Sequence, residues 1–156
     1  MELTDEITIP APCAQVYAAL NDTDVLRKCI PGCEEITRHS ETELEAKVVL
    51  KIGPVKARFT GAVVLDPVDP PREFHLTGSG TGGAAGFAKG GAQITLEEDG
   101  GQTLLRYTAR ADVGGKLAQL GSRLIMGTTR KLSAQFFDNL AAELTETDTG
   151  TPKAEA

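Results

Sequence analysis

The stretch ELEAKVVLKIGPVKARFTGAVVL, residues 43–65, decides the architecture. Leu44, Ala46, Val48, Leu50 and Ile52 alternate with Glu45, Lys47 and Lys51. Beyond Gly53-Pro54 the alternation resumes, with Val55, Ala57, Phe59, Gly61, Val63 and Leu65 set against Lys56 and Arg58. A period of two with one apolar and one polar side marks a half-buried strand, and Gly-Pro between two such runs turns the chain back on itself. The pair is therefore antiparallel, with one face in water.

The same period persists for about 80 residues. Further strands are expected at about 72–81, 86–98 and 102–113, separated by DPVDPP, a Gly-rich turn and the acidic hairpin EEDGGQ. Upstream, ELTDEITI (2–9) sets Leu3, Ile7 and Ile9 against Glu2, Glu6 and Thr8, a strand ended by Pro10 and Pro12. Val16, Tyr17 and Leu20 then recur at helical spacing, and Asn21 or Asp22 can cap a second short helix carrying Val25, Leu26 and Cys29. From Gly114 the period turns helical until about Leu144, roughly 42 Å if unbroken. The fold class is α+β: a curved seven-stranded antiparallel sheet around a C-terminal helix over about 116–144, with two short helices after the first strand. One domain, 1–145, and a disordered tail, 146–156, account for the chain.

Totals exclude several functions. Net charge is −6, with no Trp, two Tyr and five Phe. Nucleic acid as a general partner is thereby disfavoured, since it needs basic surface and stacking platforms. No apolar run approaches the roughly 20 residues that cross a bilayer, and the first residues lack an export signal, so a cytoplasmic location is expected. Three cysteines, Cys13, Cys29 and Cys33, are too few and too odd for a disulfide framework.

CIPGC (29–33) suggests a redox or metal site, but zinc wants four ligands, and Cys13, His39 and His75 supply no second pair at a suitable spacing. We expect no metal, reduced thiols and a simple turn. GSGTGG (78–83) satisfies G-x-G-x-x-G, yet AAGFAKGGAQITL after it continues as strand, where a dinucleotide fold needs a helix. Seven glycines between 78 and 91 suit a mobile lip instead. His39 and His75 lie among polar residues with no nucleophile placed beside them. Glu34 and Glu35 are consecutive on a strand and point to opposite faces, so they make no acid–base pair. No catalytic residue is assigned, and no enzyme activity is expected.

Leu117, Leu120, Leu124 and Ile125 share one face of a straight helix, whereas Leu132, Phe136, Leu140 and Leu144 centre on another, more than 100° away. A bend at Gly127-Thr128-Thr129 would let both be buried. Lys116, Arg123 and Arg130 recur every seven residues and form a basic stripe, a surface for docking an acidic partner or anionic lipid headgroups.

Several stretches, in order, resemble the carbon monoxide dehydrogenase CoxG family: IPAP at 9–12 with VYAALND, CIPGC, VVLKIGPVKARFTGAV, GSGTGGAAGFAKGGA at 78–92 and GGKLAQLGSRLI at 114–125. The resemblance implies a helix-grip fold of the START-like (SRPBCC) superfamily. It also implies an accessory protein beside a CO-dehydrogenase-type molybdenum hydroxylase, linked to enzyme recruitment at the inner face of the cell membrane. It supplies no catalytic residues and no molybdenum, iron–sulfur or flavin.

The inward positions then define a ligand expectation. Phe59, Val63, Leu65, Leu76, Phe87, Ile94, Leu105, Tyr107, Leu124 and Leu132 supply apolar walls, while Gly61, Gly78, Ala109 and Gly121, with Ala46, Ala57 and Ala92, leave space. An elongated apolar pocket opening near 78–91 is expected, with Tyr107 as its polar handle. No covalently bound cofactor is expected. The ligand would be a long lipophile, a membrane quinone such as menaquinone or ubiquinone, carried for the dehydrogenase. The rival readings are a ligand-free module that tethers or matures the dehydrogenase, and a cyclase- or hydrolase-like enzyme.

Overall fold

The computed structural model describes residues 2–155, with side chains over 2–145. The tail expected over 146–156 lies outside the residues described to the side chain. The element order is β1 (Glu2–Ile9), α1 (Cys13–Leu20), α2 (Thr23–Cys29), β2 (Cys33–Arg38), β3 (Glu43–Ile52), β4 (Val55–Asp69), β5 (Glu73–Thr81), β6 (Phe87–Asp99), β7 (Gln102–Gly114), α3 (Lys116–Gln119) and α4 (Ser122–Glu155). All seven strands form one antiparallel sheet in the order β1-β7-β6-β5-β4-β3-β2. The meander β2 to β7 follows from short turns, and β1 closes the sheet by pairing with β7.

Local chemistry fixes the two small helices. Asp22 caps α2, its carboxylate accepting from the N–H groups of Asp24 and Val25 at 2.9 and 3.3 Å. Glu98, from the β6–β7 hairpin, accepts from the Cys13 N–H at 2.7 Å and does the same for α1. The fully buried Thr103 donates to the Ala11 carbonyl at 2.6 Å, tying the β1–α1 connection to β7.

Three expectations are corrected. The long helix is interrupted at Leu120-Gly121, where Gly121 has φ +90°, and α4 runs unbroken through 127–129. With Leu117 on its own short helix and Leu124 turned outward, Ile125, Leu132, Phe136, Leu140 and Leu144 fall within about 120° on α4, so no bend at Gly127 is needed. The break also splits the basic stripe: Lys116 sits on α3, while Arg123 and Arg130 lie two turns apart on α4. Glu34 and Glu35 do not point to opposite faces. A register shift between Cys33 and Glu35 lets both reach outward cations, Arg58 at 2.8 Å and Lys47 at 3.6 Å.

The core is divided. One cluster joins β1, α1 and the later part of α4 through Ile9, Val16, Cys29, Phe74, Leu105 and Leu140. A second, smaller one gathers Ile52, Leu117 and Ile125 at the other end. α4 packs mainly on α1, α2, β1 and β3 and stands off the middle of the sheet.

Candidate functional site

Between the two clusters lies a cavity of about 650 Å³. Its floor is the inward face of β3 to β7 and its roof is α4. The sheet contributes small residues where a packed core needs large ones: Ala46, Gly61, Gly80, Ala88, Ala92, Ala109 and Ala111 all line the space. A dry void costs roughly 24 cal/mol per Å³, so leaving this one empty would cost ~16 kcal/mol, at or above a domain's whole stability of about 5–15 kcal/mol. The cavity is built to be filled.

Its wall is almost wholly apolar. Among the lining side chains only Tyr107, Thr128, Thr129 and Ser133 carry polar atoms, and Tyr107 is the one titratable group. Tyr107 stacks on Phe137, centroids 5.4 Å apart and planes at 23°, and Phe137 in turn meets Phe136 edge-on at 5.1 Å. Burial pushes the Tyr107 phenol above its ordinary range; a hydrogen bond with Ser133 works against this, and the charge of Asp5 adds to it. Asp5 stands directly opposite Tyr107 across the β1–β7 pair, at the parity of Leu3 and Ile7. Tyr107 and Phe137 also border a second groove between β1 and α4, where Arg130, Asp5 and Asp138 lie.

Of the positions expected to form the pocket, Phe59, Gly61, Val63, Leu65, Leu76, Ile94, Leu105, Tyr107, Ala109 and Leu132 meet around it. Four do not. Phe87 is 48% exposed, because its strand counts back from Ile94 through Ala92 and Ala88 and leaves Phe87 on the outer parity. Its ring covers Gly114, where an added Cβ would sit 2.3 Å from it. Leu124 is 38% exposed and leans on the Gly53 turn. Gly121 forms the helix break with open space around it. Gly78 has the inward parity but no side chain to reach the space, and its neighbour Gly80 lines it instead.

The expected mobile lip is packed at its tip. Ala85 is buried, a Cβ on Gly82 would meet the Phe59 ring at 2.6 Å, and one on Gly86 would meet the Gly114 carbonyl at 2.2 Å. The glycines there permit close approach of backbones.

Sequence reasoning missed the wall formed by α1, α2 and the CIPGC turn. Leu20, Leu26, Ile30, Pro31 and Ile36 all face the cavity. Gly32 locks this wall to β3: it has φ +75°, and its carbonyl accepts from the Val49 N–H at 2.9 Å. Asn139 of α4 donates to the Cys29 carbonyl at 3.0 Å, and Lys28 pairs with Glu143 at 3.4 Å, so the turn is also held to the roof. The corner is thus part of the container. A signal was present in Ile30-Pro31, two apolar residues inside a turn.

The thiols are free, with Cys13 and Cys29 buried and Cys33 half-buried. Burial pushes the Cys29 thiol up to about 11. Among the described residues, no three His, Cys, Asp or Glu side chains gather as a metal site requires. His39 and His75 each face a carboxylate, Glu45 at 3.8 Å and Glu73 at 2.9 Å. No helix among the described residues is long and apolar enough to cross a membrane.

The family model for the CoxG component of carbon monoxide dehydrogenase matches residues 6–145. No curated protein matches the chain. Among solved structures, a conserved protein from Geobacillus kaustophilus is 28% identical, covers 94% of this chain and 97% of its own, and superposes with a TM-score of 0.88. The Zhui aromatase/cyclase from Streptomyces sp. R1128 is 12% identical over 94% of this chain and 95% of its own, TM-score 0.71. A START superfamily protein from Mycobacterium smegmatis is 13% identical over 92% and 98%, TM-score 0.65. The last two share the fold with this chain.

Proposed function

The chain belongs to the carbon monoxide dehydrogenase CoxG family, and on that premise we propose that it is a non-enzymatic carrier of an uncharged lipophile, a membrane quinone such as menaquinone, for a CO-dehydrogenase-type molybdenum hydroxylase. The single observation that carries this reading is the cavity between sheet and α4, about 650 Å³ with four hydroxyl-bearing side chains and no charged one on its wall. At about 30 Å³ for a water-sized unit, the space holds on the order of 20 non-hydrogen atoms, enough for a quinone ring and the first isoprenoid units. A carboxylate or phosphate would be left without a counter-charge there and is disfavoured. A carbonyl fits, because the Tyr107 and Ser133 hydroxyls can donate to it.

The dehydrogenase passes electrons on, and a quinone that dissolves only in the bilayer is out of its reach. A protein that holds the quinone out of the membrane closes that gap. The enzyme reading, which the fold shared with an aromatase/cyclase keeps in view, is disfavoured by the wall chemistry. Cyclisation or hydrolysis needs a general acid or base at the substrate, and Tyr107, its phenol raised by burial, stays neutral at pH 7.

The test uses vesicles containing menaquinone, the partner dehydrogenase and its electron-donating substrate. Loss of quinone absorbance is expected only when this chain is added, and Ala109→Phe, which fills the cavity, should remove the effect. Equal quinone reduction without the chain would rule out the carrier role.

A further inference from the structure

We propose that the end of the molecule formed by the β3–β4 turn, the start of β6 and the α3–α4 junction is a docking tip for an anionic phospholipid surface. This deepens the carrier reading, on which it rests only for the membrane as destination; the surface itself is read from charge and exposure.

In an antiparallel meander alternate turns lie at the same end. The β2–β3, β4–β5 and β6–β7 turns share one end, while the β3–β4 and β5–β6 turns and the β7–α3 connection share the other. Charge divides along that axis. The first three turns, residues 39–45, 66–73 and 97–99, carry nine carboxylates against a single arginine. The opposite end carries Lys51 and Lys56, paired across the Gly53-Pro54 hairpin, with Lys116 on α3 and Arg123 in the first turn of α4. None of these four forms an ion pair among the described residues. Lys89 lies opposite Asp112 in the β6–β7 register, so that pair adds no net charge. A net charge of −6 therefore conceals a dipolar molecule with one cationic end.

The same end holds two of the large exposed apolar side chains, Phe87 at 48% and Leu124 at 38%. Phe87 opens β6, and Leu124 leans on the Gly53 turn. Unpaired cations interleaved with an exposed Phe and Leu match a bilayer interface, where anionic headgroups take the cations and the acyl boundary takes the apolar groups. An acidic protein would use the cations but leave the two apolar groups without a purpose. Directly behind this end lies the small cluster of Ile52, Leu117 and Ile125, the residues that close the cavity on this side. The tip thus places the thinner of the two core plugs nearest the membrane. Arg130, one member of the expected stripe, faces the β1–α4 groove instead and lies outside the tip.

The experiment is co-sedimentation of the full chain with vesicles of phosphatidylglycerol and phosphatidylcholine in equal parts, against phosphatidylcholine alone, over a salt series. The wild type should bind only the anionic vesicles, and less as salt rises. Reversal of Lys51, Lys56, Lys116 and Arg123 to Glu should weaken binding at least about 100-fold. Phe87→Ser with Leu124→Ser should weaken it about tenfold, whereas Arg130→Glu should leave it within about twofold. Fold is checked by circular dichroism, and the cavity by the fluorescence of N-phenyl-1-naphthylamine. The tip proposal is overturned if the wild type ignores anionic vesicles, if the four-site reversal binds as well as wild type, or if Arg130→Glu loses as much. Capture of an acidic protein without vesicle binding also overturns it. Failure of the dye to bind wild type counts against the carrier reading alone, since sedimentation still decides the tip.

Discussion

At Gly32 the chain has no room for a side chain: a Cβ would stand 2.0 Å from the Val49 carbonyl oxygen, and φ is +75°. The left-handed backbone alone costs a substituted residue about 1–2 kcal/mol. With the overlap added, Gly32→Ala should lower stability by at least ~2 kcal/mol in denaturant titration. Cys29, three residues earlier, makes a second prediction. Its folded pKa, about 11, lies above the unfolded value of 9.0, so the native state keeps a proton that the unfolded chain releases. Stability should therefore be constant below about pH 9 and fall as pH rises from there through about 11. Alkylation of the native protein at pH 8 should find Cys33 first and the buried Cys13 and Cys29 only slowly. Single residues were also where the sequence was hardest to read. Phe87 follows six residues, TGGAAG, that carry no alternation to count along, so its parity could be fixed only by the strand pairing. Asp5 sits at an apolar parity, and only the neighbouring groove explains how it stays in water.

Elements were more legible than residues. Period two on β3 and β4 placed the inward side chains from Leu44 to Leu65 on the correct face, because an apolar side chain buried every second position leaves no competing register. The helix break was not legible, since Gly121 and Gly127 look alike in sequence and only φ separates them. That difference gives a paired prediction. Gly127 lies within α4 at negative φ with open space around it, so Gly127→Ala should stabilise by about 0.5–1 kcal/mol. Gly121 has φ +90°, so Gly121→Ala should destabilise by about 1 kcal/mol despite equally open surroundings. Chemical unfolding of the two variants gives opposite signs if the break is at 121. Were the bend at Gly127, the signs would not be opposed in this way.

The whole molecule is two core plugs joined by a sheet and a helix, with a cavity where a continuous core would otherwise run. Its sheet-side walls could be anticipated from small residues at inward positions. The contribution of Leu20, Leu26, Ile30 and Pro31 could not, because it depends on where the α1–α2 unit rests against α4. The carrier role stands or falls with occupancy of that space. Gly61→Leu and Ala109→Phe should each narrow it without disturbing the sheet, since a Cβ on Gly61 meets nothing closer than 3.5 Å and Ala109 already points inward. Both should fold, and both should gain rather than lose thermal stability relative to ligand-free wild type. Occupancy is read by solvent extraction of the purified protein, isolated from cells that make menaquinone, followed by mass spectrometry with the bound lipophile counted per chain. Wild type should yield an uncharged isoprenoid at close to one per chain, and Ala109→Phe almost none. An empty wild-type protein after exposure to lipid extracts, or equal recovery from both, would show that the cavity is not a carrier's hold.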